Sequence, residues 1–250
     1  MNLIELVLGR LSENESILFG CFLVTSPNII AYLFFMLVRE INGDWIKRMM
    51  KIMVCVSTGA LLGDFLGNII PECLYGLKTK EKEGELIWTI FVSILGLIII
   101  DKCFKMMEGQ QNIKMIVFLI ADGLHNFTDG LAIGTILKKG VKVGAASCLS
   151  IFIHEVPHQL GDFSLSILRG NSLNKTLLLQ LLTSIPTFLG GMVVFNVGSY
   201  FEERLNGIVI GCFVYLIFTN LVTEIIEYRS SLISIATEIL SLYIGFSMVA

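Results

Sequence analysis

The chain has 250 residues, of which 54% are hydrophobic and 16% charged, against about 25% charged in an ordinary soluble domain. Mean hydropathy is +0.79, more apolar side chain than one soluble core of this length hides, so a soluble globular enzyme and a disordered chain are both excluded. With 18 Lys and Arg against 21 Asp and Glu, the net charge of −3 offers no electrostatic basis for binding nucleic acid. What remains is a polytopic, all-α integral membrane protein.

The opening residues MNLIELVLGRLSENES carry glutamates, lack a basic start and show no small-residue cleavage site. They predict a first span that is retained as an anchor. A helix needs about 20 largely apolar residues to cross the hydrocarbon. Eight runs qualify, at 17–38, 50–77, 86–107, 113–137, 141–168, 174–198, 205–226 and 230–250. Backbone groups in lipid must be satisfied within their own segment, so these runs predict eight transmembrane helices, and their length excludes barrel strands. The connections are short, so residues 1–250 read as a single polytopic domain with both termini on one side. With the N-terminus outside, the internal connections hold Arg39, Lys47, Arg48, Lys51, Lys102, Lys105, Lys114, Arg169, Lys175 and Arg229. That is a small majority of the basic residues, the arrangement the positive-inside rule favours.

Glycines recur at spacing four: Gly59, Gly63 and Gly67; Gly130 and Gly134; Gly140 and Gly144; Gly207 and Gly211. Such spacing predicts closely packed helix backbones. Of the 6 cysteines, Cys21, Cys55, Cys73, Cys103, Cys148 and Cys212, most lie in apolar runs. They read as small buried hydrophobes, with no disulfide framework expected.

All 3 histidines fall inside the fourth and fifth runs. In ADGLHNFTDG, Asp122, His125 and Asp129 are spaced by three and four, with Asn126 beside them. In HEVPHQLGDF, His154, His158 and Asp162 step by four, and Glu155 leads to Gln159 and Asp162 along the adjacent stripe. Residues at these spacings share a helical face. Ionisable groups at membrane depth cost several kcal/mol unless paired or hydrated, so their clustering is a functional signal. Two such faces turned together offer imidazoles and carboxylates that suit Zn²⁺, Fe²⁺ or Mn²⁺, and a cation offsets the repulsion among Asp129, Glu155 and Asp162. Pro157, between His154 and His158, predicts a kink, because its ring clashes with the carbonyl of Ile153.

HEVPH is also formally H-E-x-x-H, the pattern in which two histidines hold zinc and the glutamate serves as general base. An intramembrane zinc metalloprotease is therefore the alternative. Against it stand the proline between the ligands and the surplus ligands His125 and Asp129, more than a catalytic zinc with an open position needs.

HNFTDGLAIG and HEVPHQLGDF together resemble the paired signatures of the ZIP family of divalent metal transporters. They are closest to the branch with HEVPHE-type fifth helices, whose best-known members serve the endoplasmic reticulum and Golgi. GALLGDFLGNIIPE in the second run resembles that branch's second-helix motif, and the eight runs match the family's eight helices. The resemblance implies a binuclear centre between helices four and five. One metal would be held by His125, Asp129, His154 and His158. The other would be held by Asn126 and Glu155 with His158 near both, while Asp122 and Asp162 line the route. Asp64 matches a family acid, and Asn68 and Glu72 stand where the branch often has histidine.

This sequence departs from the pattern at three places. Gln159 replaces the branch's usual glutamate. Ile185-Pro186 takes the position of a Glu-Pro pair, leaving the second metal short of a ligand, with Gln180 as a nearby candidate. The loop KCFKMMEGQQNIK has no histidine tract. The resemblance implies a non-enzymatic carrier that moves Zn²⁺ toward the cytosol, with Fe²⁺, Mn²⁺ and Cd²⁺ as further candidate ions. It also implies no organic cofactor, a lipid bilayer as partner, a homodimer, and residence in the endoplasmic reticulum, Golgi or plasma membrane.

Overall fold

Ser12 starts the first long helix: its backbone N–H and its Oγ both donate to Glu15 Oε2, at 2.9 and 2.6 Å, fixing the first turn as a capping box does. The computed structural model describes residues 3–38, 44–71, 79–107, 110–193, 207–208, 210–211, 214–215, 217 and 232–249. In chain order the helices are α1 (Leu3–Leu8), α2 (Glu13–Thr25), α3 (Pro27–Val38), α4 (Asp44–Asp64, continued by a π-helical turn Phe65–Ile69), α5 (Lys80–Met107), α6 (Gln110–Lys139), α7 (Val141–Leu168), α8 (Leu173–Val193) and α9 (Leu232–Val249). Among the described residues there is no strand.

Four stretches are long and apolar enough to cross a membrane: Glu13–Val38, Asp44–Gly67, Lys80–Ile100 and Leu173–Val193. A shorter apolar helix covers Ser234–Val249. These stretches answer the first, second, third, sixth and eighth runs of the sequence. The first is broken at Ser26, whose Oγ bonds Leu23 O at 2.6 Å. Pro27 then begins a new helix at the position where a missing N–H costs least. With 30 and 28 residues, α6 and α7 are about 45 and 42 Å long at 1.5 Å per residue. They match runs four and five in place but carry the acids and histidines. Run seven lies almost wholly outside the described residues. α1 was not anticipated, yet its Leu8 is fully buried with Ile17, Cys21, Ile133 and Cys148.

The glycine spacing has a structural counterpart. A Cβ on Gly130 of α6 would collide with the Thr187 carbonyl of α8, and one on Gly190 would strike the Phe127 carbonyl in return. The same reciprocal fit joins α4 to α9, with Gly59 against the Leu242 carbonyl and Gly245 against the Val56 carbonyl. Gly161 lies against Ser57, drawing α7 onto α4. Bare backbones at these crossings bring α4 and α8 to the two helices that carry the polar groups.

Gly130→Leu should therefore wedge α6 from α8 and cost about 1–3 kcal/mol, as overpacking does, seen as a lowered melting temperature in detergent. Gly84→Ala, whose added Cβ meets nothing within 4 Å, should leave that temperature unchanged or raised.

Candidate metal centre

α6 and α7 are joined through Gly140 alone, at φ 143°. Only glycine takes that conformation cheaply, and the resulting sharp reversal lays the polar stripe of α6 against that of α7. Asp122, His125, Asn126 and Asp129 on the first, and His154, Glu155, His158, Gln159 and Asp162 on the second, are all buried. The two faces meet as the sequence spacing requires.

Two groups of ligand atoms result. In the first, His125, Asp129, His154 and Glu155 each offer one atom, all within 4.8 Å of one another. His125 Nε2 lies 3.1 Å from Glu155 Oε1 and 3.6 Å from Asp129 Oδ2. His154 Nε2 lies 3.7 Å from Glu155 Oε1 and 3.9 Å from Asp129 Oδ2. In the second group Asp122, His158 and Asp162 meet the same 4.8 Å limit. The groups are neighbours, since the His125 and His158 rings are 5.1 Å apart.

Several of these atoms are buried without a hydrogen-bond partner: Asp129 Oδ2, His154 Nε2, Asp122 Oδ2, His158 Nδ1 and Asp162 Oδ2. His158 Nδ1 and Asp162 Oδ2 are only 3.2 Å apart yet are not aligned on each other. A buried polar atom left unbonded costs about 1–3 kcal/mol. Imidazole nitrogens and carboxylate oxygens are ordinary ligands of a divalent cation, so each group could hold one.

Distance alone sorts the ligand atoms into these two groups. Glu155 stands with His125, Asp129 and His154, whereas His158 stands with Asp122 and Asp162. Pro157 marks the boundary, and α7 runs through it without interruption from Val141 to Leu168. Asn126 belongs to the surroundings of the second group. Its Nδ2 donates to Asp122 Oδ1 at 3.1 Å and to Asp122 O at 3.0 Å, and its Oδ1 accepts from Thr187 Oγ1 at 3.3 Å. Gln159 donates from Nε2 to Glu155 Oε2 at 3.1 Å, a bond that an ionised glutamate at this position could not make.

Asp64, buried at the end of α4, is close enough for its charge to act on His125, Asp129 and His158. The Asn68 side chain and Glu72 lie outside the described residues. Gln180 is fully buried on α8, and its Oε1 accepts from Thr183 Oγ1 at 3.3 Å. Ile185 is 52% exposed, on the side of α8 turned away from the centre. A side chain at this position faces away from the two groups. The buried polar residues of α8 include Gln180, Thr183 and Thr187. Sequence reasoning missed Thr183 and Thr187, though their period with Gln180 on an otherwise apolar helix was available. It also missed Ser57, whose Oγ donates to His158 O at 3.4 Å.

The model of the family described as ZIP Zinc transporter matches residues 101–250, the part of the chain that holds both groups. The chain belongs to the ZIP zinc transporter family. It is 32% identical over 131 residues to zinc transporter foi of Drosophila melanogaster, covering 52% of this chain and 19% of that protein. It is 31% identical over 122 residues to zinc transporter ZIP10 of Mus musculus, covering 48% and 14%. It is 27% identical over 190 residues to zinc transporter YKE4 of Saccharomyces cerevisiae, covering 66% and 53%. The chain thus spans a minor part of the first two relatives and about half of the third. Family membership and the apolar helices together make it a multi-pass membrane protein.

The two groups should be separable by equilibrium zinc binding. His154→Ala should weaken one class of site by about tenfold or more and leave the other, and Asp162→Asn should do the reverse. Loss of both classes in each variant would show a single centre instead of two.

Proposed function

We propose that the protein carries Zn²⁺ across a bilayer toward the cytosol, through the two adjacent groups between α6 and α7. In this reading residues 1–250 form one eight-span domain, and the centre lies at mid-membrane. Ligands replace water around the ion, and helix movement opens the site to each side in turn. Fe²⁺, Mn²⁺ and Cd²⁺ are candidate further substrates by ligand chemistry. The observation that carries the reading is the set of buried, hydrogen-bond-deficient nitrogen and oxygen atoms in two groups one imidazole apart. Adjacent half-satisfied sites suit an ion that has to arrive and leave. Residence in the endoplasmic reticulum, Golgi or plasma membrane, and assembly as a homodimer, belong to the same proposal.

The placement of Glu155 weighs against the metalloprotease. Its Oε1 sits in the first ligand group and its Oε2 accepts from Gln159, so neither oxygen is held apart to act as a base on water. No covalent step is needed, and the proposed role is that of a non-enzyme.

In proteoliposomes loaded with a zinc-sensitive dye, His158→Ala should reduce flux at least tenfold while expression and melting temperature hold. Flux equal to wild type would refute the shared passage. Glu155→Gln should weaken zinc binding together with flux. Retention of full zinc binding with loss of a peptide-cleaving activity would instead establish the protease.

A further inference from the structure

Arg169 takes no part in either ligand group, yet its position is tied to the second. It is the C-cap residue of α7. Its place is fixed by a Schellman closure in which Asn171 N donates to Ser166 O at 3.1 Å and Gly170 N to Ile167 O at 2.9 Å, with Gly170 at φ 91°. Arg169 lies seven residues beyond Asp162 and eleven beyond His158. At 3.6 residues per turn all three fall on one face. Side chains on a helix lean toward its N-terminus, so the long guanidinium arm reaches back along that face.

Where the arm rests is also defined. Arg169 Cζ sits 5.8 Å above the centroid of Phe118, a fully buried ring on α6, one turn before Asp122. The guanidinium therefore lies at the end of the polar stripe, beside the turn that presents Asp122 and Asp162. On the same face of α7, Asp162 has an Oδ2 with no hydrogen-bond partner.

We infer that Arg169, seated on Phe118, is a built-in counter-cation of the Asp122–His158–Asp162 group, competing with the divalent ion for its two carboxylates. The inference rests on the transport reading of the same centre and adds a release device to it. With no ion in the group, the guanidinium compensates part of the negative charge. When an ion enters, the two cations repel, and binding there is held weak enough for the ion to move on. An arginine that only satisfies the helix C-terminus or anchors at a lipid–water boundary would leave metal affinity unchanged.

The test uses the full chain, with zinc alone as the probe, in two formats: equilibrium dialysis in detergent and flux into proteoliposomes across a range of zinc concentrations. Arg169→Gln should tighten zinc binding at the second group by about tenfold, as removal of a nearby charge predicts. It should lower KM and turnover together, because the ion leaves more slowly. Arg169→Lys should restore both toward wild type, and Phe118→Leu, which keeps the charge but removes its seat, should shift them in the same direction as Arg169→Gln by a smaller factor. Equal zinc affinity and KM in wild type and Arg169→Gln, or weaker binding in the variant, would overturn the inference. Wild-type protein that binds zinc but passes none would end the transport reading, while the affinity comparison would still judge Arg169.

Discussion

Carboxylates and imidazoles that α6 and α7 turn toward each other are buried, and what one another and the neighbouring amides leave unsatisfied only a cation or water can satisfy. The rest of the bundle answers that constraint. A one-residue connection at Gly140 holds the two helices together. Gly130 and Gly190 admit the α8 backbone, which brings Thr187 to Asn126. Gly161 admits α4, which brings Ser57 to the carbonyl beside Pro157 and Asp64 within reach of the histidines. Without these close approaches the polar atoms would lack neighbours able to orient them.

Neutral amides hold the acids in place without adding charge. Asn126 clamps Asp122, and Gln159 clamps Glu155. In each case the donor occupies one oxygen and leaves the other toward the ligand group. A glutamate at either amide position would place two carboxylates side by side with nothing between them but an ion. These bonds fix the direction of the Asp122 and Glu155 carboxylates.

Much of this was legible in the residues. The spacing of His125 with Asp129, and of His154, His158 and Asp162, dictates shared faces, and those faces meet in the structure. Helix α7 begins and ends where its apolar run does, because glycines flank it on both sides. Other features were not legible, for physical reasons. α1 is too short to show a period, and its burial depends on Leu8 meeting residues more than a hundred positions away. The break at Ser26–Pro27 hides inside a continuous apolar run. The grouping of ligands into two sets depends on which rotamers cross between helices, which spacing along one helix does not fix. The phase of α8, which turns Ile185 outward, was likewise not fixed by the residues of that helix alone.

The central claim is that zinc is held by nitrogen and oxygen from α6 and α7. X-ray absorption at the zinc edge on metal-loaded protein tests it most directly. The account predicts a shell of nitrogen and oxygen at about 2.0–2.2 Å with the outer scattering of imidazole. A sulfur shell at about 2.3 Å, drawn from the buried cysteines Cys21, Cys55 or Cys148, or a shell without imidazole, would contradict it.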